Sequence, residues 1–199
     1  MVHTKELAWT GARPYSDKAY SGEPLDSADV DIALPSNAIG KLALDADALG
    51  ALFRCFQMAG GMRQALTITV QYANDRVQFG RPIGKFQALQ HMIAEMVENT
   101  AAADTAAAMA LNAHGTPRER LMLASAKIRC GEAAGIVAAG AHQIHGAIGF
   151  TREHRLHHLT RRLWTWRDEF GHEGDWALEL GRVALSGGGD DIWPLLTGA

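Results

Sequence analysis

The chain has 199 residues, 47% of them hydrophobic and 21% charged, enough to build one sizeable core but not two. Its 19 basic and 22 acidic residues leave a formal charge of −3, which removes the electrostatic motive for binding nucleic acid. No stretch approaches the ~20 continuous apolar residues of a membrane-spanning helix, and the polar start Met1-Val2-His3-Thr4-Lys5-Glu6 is unlike a signal peptide; the expectation is a cytoplasmic protein with no membrane partner.

Residues 1–40 read as an extended arm. Pro14, Pro24 and Pro35 fall there, and the alternating run Val30-Asp31-Ile32-Ala33-Leu34 suits one half-buried strand stopped by Pro35. A single strand is not a sheet, so it needs a partner chain or lies as an arm along a helical body. From Leu42 the period becomes helical: Leu49, Leu52, Phe53, Phe56, Ala59, Leu66, Val70 and Ala73 recur every three or four residues. This first long helix is expected to stop near Phe79-Gly80-Arg81-Pro82, where glycine tolerates a left-handed cap and proline cannot continue the ladder.

A second stripe runs through Phe86, Leu89, Ile93, Met96, Val97, Ala107 and Leu111 to His114-Gly115. Thr116-Pro117-Arg118-Glu119 then offers a capping threonine, a first-turn proline and a reciprocal glutamate, predicting a third helix that continues to about Ile144. Gly131, Gly135 and Gly140 permit close helix approach along it. Cys55 and Cys130 lie inside these helices without metal-type spacing and read as reduced, buried residues. Short turns between long helices predict an all-α fold, an antiparallel up-and-down four-helix bundle with an extended N-terminal arm, completed by a shorter fourth helix within 153–184. The expected organisation is an arm at 1–40, a bundle at 41–185 and a tail at 186–199 carrying Gly187-Gly188-Gly189 and Trp193.

Five histidines, His142, His145, His154, His157 and His158, crowd one region. They lack a His-Glu-x-x-His pattern and an accompanying cysteine, and the Gly146–Gly149 turn divides them, so no metal is assigned; the alternative is a set of polar interface or ligand-facing rings. Two other stretches combine groups suited to a flat heteroaromatic ligand bearing a pyrophosphate: Asp75-Arg76-Val77-Gln78-Phe79-Gly80-Arg81-Pro82-Ile83-Gly84-Lys85-Phe86-Gln87 and Gln143-Ile144-His145-Gly146-Ala147-Ile148-Gly149-Phe150-Thr151. A guanidinium matches charge, a ring stacks, and amides orient. The plainer alternative is that Arg76 and Arg81 favour a helix C-terminus and Gln143 fills a bundle end.

Both stretches resemble the C-terminal helical domain of the acyl-CoA dehydrogenase family, flavoproteins that oxidise an acyl-CoA thioester to its 2,3-enoyl form. The likeness covers about residues 40–185 and implies FAD as cofactor, an acyl-CoA substrate, a homo- or hetero-oligomer with an acyl-CoA dehydrogenase subunit, and an electron-transfer flavoprotein as a further partner. It implies that Arg76 contacts the FAD pyrophosphate from across a subunit interface, with Phe79 beside the adenosine portion and Phe86 and Gln87 near the same cofactor. Gln143, Ile144, His145, Gly146 and Ala147 would line another part of the flavin site, with Ala147 standing where a second glycine is common.

The reaction needs a carboxylate to take the acidic proton beside the thioester carbonyl while hydride leaves the neighbouring carbon. In many members that glutamate precedes a glycine about twenty residues beyond the Gly-Phe-Thr turn. Here the stretch is Trp164-Thr165-Trp166-Arg167-Asp168-Glu169-Phe170-Gly171, and an ungapped count puts Phe170 at that position. Glu169, one residue away, is the candidate base and Asp168 a poorer one; the alternative is an acidic pair bridged to Arg161, Arg162 or Arg167. Relatives that place the base early in the first long helix have no counterpart in Leu49-Gly50-Ala51-Leu52. The Trp-x-Trp-Arg-Asp-Glu-Phe-Gly variant resembles bacterial members, including unlike-subunit pairs in which one subunit lacks the base. The expected role is therefore part of an FAD-dependent acyl-CoA dehydrogenase, or else a non-catalytic helical subunit or remnant stabilising a flavoprotein partner.

Overall fold

The computed structural model describes residues 46–186 and 192–197. The expected strand at Val30–Leu34 lies outside them. Helices α1 (Ala46–Asp75), α2 (Gln87–Asn112), α3 (Glu119–His145) and α4 (Leu156–Asp168) pack together, α5 (Glu173–Ser186) lies on α3, and α6 spans Ile192–Thr197. The fold is all-α, as the periodicity predicts. Particular contacts fix the directions. Tyr72 meets His145, so α1 and α3 end together. Met96 faces Gly140 and the Cys130 thiol reaches the Ala103 carbonyl, so α2 runs antiparallel to α3. Leu163 lies over Gly61 and Phe170 over Gly50, so α4 runs back along α1.

The core is built from small residues. Ala51, Cys55, Met58, Met62 and Ala65 of α1 face Ala126, Cys130, Ala133, Ala134, Val137 and Ala138 of α3, with Ala103 and Ala107 of α2 beside them. Alanine at the contact lets helix axes approach to the near end of the usual 8–10 Å range, and methionine fills the irregular gaps. Cys55 and Cys130 are free and fully buried, as expected, and they meet across the α1–α3 contact. Their mutual hydrogen bond and burial push the Cys130 thiol up, so it stays protonated.

Three boundaries differ from the sequence expectation, the first being that α1 stops at Asp75, short of Phe79-Gly80-Arg81-Pro82, because residues 77–82 form a hairpin. The capping box before α3 is shifted by one residue: the Glu119 carboxylate accepts from the Gly115 backbone N–H at 2.8 Å, and the Thr116 hydroxyl oxygen accepts from the Arg118 N–H at 3.3 Å. The region 153–184 holds two helices, broken where Phe170 and Gly171 take φ of 57° and 93°. His172 restarts the chain, since its ring accepts from the Gly174 N–H at 3.2 Å while Asp175 accepts from the His172 N–H at 3.0 Å. Among the described residues, no helix is long and apolar enough to cross a membrane.

Candidate functional site

The turn after α1 is a two-residue hairpin. Val77 pairs with Pro82 and Gln78 with Arg81, making strands β1 (Val77–Gln78) and β2 (Arg81–Pro82) around Phe79-Gly80. Phe79 has φ 50° and Gly80 φ 77°, the geometry of a type I′ turn. Glycine accepts that conformation freely; phenylalanine does not. The ring of this strained residue is also 92% exposed and meets Phe86 edge-on, with the centroids 6.1 Å apart. A large apolar side chain held outward at a backbone cost is a feature that stability does not explain. Phe79→Asn is expected to raise the unfolding free energy by about 0.5–1 kcal/mol, because asparagine tolerates the left-handed region, and urea denaturation would read it. A loss of stability would show that the Phe79 contact outweighs the strain.

Around this tip, Arg81 covers the half-buried Phe86 ring at 4.2 Å, and Arg76 and Gln87 are exposed. With its amide oxygen turned toward Arg76, Gln78 accepts from that guanidinium at 2.8 and 3.3 Å and so orients it. The end of α3 lies beside this turn, because Tyr72, four residues before Arg76, stacks on His145 at 4.4 Å. There Gln143, Gly146 and Ala147 are exposed, whereas Ile144 and His145 are buried. The structure thus brings the residues singled out at 76–87 and 143–147 to one end of the bundle.

Glu169 is elsewhere. Its carboxylate pairs with Arg54 of α1. By the ~1.5 Å rise per residue, Arg54 stands about 27 Å along α1 from Tyr72. The alternative read from sequence was an acidic pair bridged to Arg161, Arg162 or Arg167; Glu169 pairs with Arg54, and Arg167 pairs with Glu173. Arg54 also donates to Gln57 and lies over Trp166 and Phe170, with its carbon 5.7 and 6.0 Å from the ring centroids. The Phe170 ring rests on Gly50, where a Cβ would come within 2.3 Å of it. Phe170, which the ungapped count puts at the base position, is therefore packed against Gly50, within the Leu49–Leu52 stretch where other relatives of the resembled family place the base.

The loop that carries Glu169 is clamped. Lys127, 1% exposed, donates from Nζ to the carbonyls of Arg167 at 2.8 Å and Gly171 at 2.7 Å, and approaches that of Trp166 at 3.5 Å. The Trp176 indole donates to the Phe170 carbonyl at 2.9 Å. Burial pulls the Lys127 amine below the usual lysine range, and nearby Cys55, Glu173 and Asp168 partly restore it. Sequence reading missed Lys127 and Arg54, since an isolated basic residue at helical spacing carries no signal of a partner dozens of residues away.

The five histidines are packed largely by their rings, and among the described residues no group of three or more His, Cys, Asp or Glu side chains is placed to hold a metal ion.

With this geometry in view, the comparison with known proteins is direct. The chain belongs to the acyl-CoA dehydrogenase family: residues 43–167 match the family described as Acyl-CoA dehydrogenase, C-terminal domain. It is 38% identical over 141 residues to Acyl-CoA dehydrogenase IpdE2 of Mycobacterium tuberculosis, covering 69% of this chain and 40% of that one. Among solved structures, butyryl-CoA dehydrogenase from Megasphaera elsdenii superposes with a TM-score of 0.66 at 27% identity, over 70% of this chain and 37% of that one. A glutaryl-coenzyme A dehydrogenase in its glutaryl-CoA complex gives 0.63 at 31% identity, over 71% and 37%. The chain thus spans 40% or less of the length of these relatives.

Proposed function

We propose that this chain forms part of an FAD-dependent acyl-CoA dehydrogenase and serves the α,β-dehydrogenation of an acyl-CoA thioester. The observation that carries the reading is the convergence of the strained, outward Phe79 turn with the end of α3 at one end of the bundle. The donor set fits FAD. Arg76 offers an oriented guanidinium to a pyrophosphate, Phe79 a free aromatic face to the adenosine portion, and Gln143 an exposed amide. Open space lies over Gly80 and Gly146, where a Cβ would meet nothing within 4 Å, and their positive φ of 77° and 62° is what calls for glycine. Phe86, Gln87, Ile144, His145 and Ala147 complete the lining, with buried Ile144 and His145 acting by supporting the exposed backbone of the turn.

Bound FAD supplies the hydride acceptor. What the chain adds is position: Arg76 reaches across a subunit interface, so the working protein is a homo- or hetero-oligomer with an acyl-CoA dehydrogenase subunit, reoxidised by an electron-transfer flavoprotein in the cytoplasm. Glu169 is the nearest carboxylate to the base position and would take the proton after leaving Arg54. The domain division proposed with it sets the bundle at 41–185 apart from 1–40 and 186–199, of which 1–40 lies outside the described residues.

A second reading, a non-catalytic helical partner, is favoured by one specific contact, the Phe170 ring seated on Gly50 with Glu169 held by Arg54. The first reading needs flavin at the hairpin end. Co-purified with the dehydrogenase subunit it assembles with, the chain is expected to give a yellow complex that loses its flavin absorbance in Arg76→Ala; an Arg76→Ala complex with full flavin content would overturn the hairpin assignment. Glu169→Gln then separates the two. As a base it costs 10²-fold or more in turnover, and as a bystander it leaves turnover unchanged.

A further inference from the structure

At the end of the bundle three segments meet through aromatic rings rather than aliphatic side chains. Tyr72 of α1 stacks on His145 of α3, and His154 lies 4.6 Å from His145 and 6.3 Å from Tyr72. On the preceding turn of α3, His142 stacks on Phe150 at 4.1 Å and on Trp164 of α4 at 5.9 Å. Two imidazoles thus hold the segment 146–155 to the helices.

Both rings are buried, His142 to 6% and His145 to 4% exposure, and each is hydrogen-bonded on one side only. His145 Nδ1 donates to the Ala141 carbonyl at 2.8 Å, and His142 Nε2 meets the Thr160 hydroxyl at 2.8 Å. The other nitrogens, His145 Nε2 and His142 Nδ1, are buried with no partner. A second proton on either ring would make a buried N–H with no acceptor and bring a charge into the stack. The titratable groups facing these rings are Tyr72 from α1, His154 from the segment 151–155, and His157 from α4, with the Arg155 guanidinium acting on His154. A phenol, two imidazoles and a guanidinium do not offset an imidazolium.

We infer that this seam of paired imidazoles is an acid-sensitive latch: protonation of His142 and His145 releases the segment 146–155 from the end of the bundle while the helical core stays folded. Burial holds both rings below the usual histidine range; His145 and His157 push His142 the same way, while on His145 the Ala141 carbonyl works against burial and His154 with it, leaving the net direction downward. The sign follows. In the released segment the rings protonate near the ordinary value of about 6.5, whereas in the closed state they do so only at lower pH, so between the two the released state binds more protons. The latch is fully closed above about pH 6.5 and weakens as pH falls, by roughly tenfold per pH unit for each histidine.

Amide hydrogen exchange on the full chain at pH 7.5 and 5.5, corrected for the intrinsic pH dependence of exchange, tests the latch. The opening constant of peptides covering 146–155 is expected to rise at least tenfold at the lower pH while peptides of α2 stay unchanged, and a His142→Phe/His145→Phe double variant is expected to abolish the rise. An equal opening constant at both pH values overturns the latch, as does a rise that survives in the double variant. Should that variant fail to fold, NMR titration of the natural chain decides: the two rings titrating clearly below 6.5 support the latch, and titration at or above 6.5 overturns it. These measurements read opening without flavin, so their outcome is independent of the cofactor assignment.

Discussion

Replacing Lys127 with methionine is expected to lower the unfolding free energy by roughly 2–4 kcal/mol, the largest single-residue stability effect we anticipate in the bundle. The methionine stem fills nearly the same volume, so the packing loss is small. What disappears is the donor. The carbonyls of Arg167 and Gly171, bonded at 2.8 and 2.7 Å, close the C-terminal end of α4, and no other backbone donor in the helix can reach them. A buried acceptor left without a partner costs about 1–3 kcal/mol, so two carbonyls would cost about 2–6 kcal/mol. Relief from holding an ammonium group away from water works the other way and keeps the total below the simple sum. Urea denaturation monitored by tryptophan fluorescence would measure the change. A loss below about 1 kcal/mol would mean that water reaches those carbonyls once the lysine is gone.

Lys127 also marks the limit of what the sequence reveals. The three long helices were legible because apolar residues at three- and four-residue spacing are interrupted by Gly80-Arg81-Pro82 and by Gly115-Thr116-Pro117, and such punctuation acts locally. The break at Phe170-Gly171 was not legible, because it depends on contacts from remote positions: Gly50 beneath the ring, the Lys127 amine on the Gly171 carbonyl and the Trp176 indole on the Phe170 carbonyl. The site divides in the same way. Arg76, Phe79 and Gln143 were singled out through the residues around them, whereas the pairing of Glu169 with Arg54 joins groups 115 positions apart and had no local sign. The aromatic seam was half visible: the crowd of histidines was evident, but Tyr72, which holds His145, sits in a different helix.

That division bears on function. The proposed flavin-holding end rests on turns that fold from local sequence, while a base must be delivered by a loop positioned through tertiary contacts. Here the loop is rigidly held yet presents Phe170 inward to Gly50 and ties its carboxylate neighbour to Arg54. The preorganisation is intact, and the group it presents is apolar.

Gly50→Ala is expected to cost about 1–3 kcal/mol, and most of that cost should vanish when Phe170 is also changed to glycine. A Cβ at Gly50 would lie 2.3, 2.5 and 2.6 Å from three atoms of the Phe170 ring, closer than real side chains approach. The backbone of Phe170 cannot retreat, since its carbonyl is held by Trp176 at 2.9 Å and the next one by Lys127 at 2.7 Å. The ring must therefore swing outward, and because it is already 43% exposed that route is open, which keeps the cost within the stated range. Phe170→Gly alone has two opposing effects. It removes the ring from Gly50 and from Arg54, yet relieves a non-glycine residue at φ 57°, worth about 1 kcal/mol in glycine's favour. In the double variant the alanine methyl enters the space the ring has left, so the two changes should couple by about 1–2 kcal/mol in a double-mutant cycle. Additivity within about 0.3 kcal/mol would mean that Phe170 does not occupy Gly50 in solution. Coupling combined with unchanged turnover in Glu169→Gln would assign the loop a purely structural role and leave proton abstraction to the partner subunit.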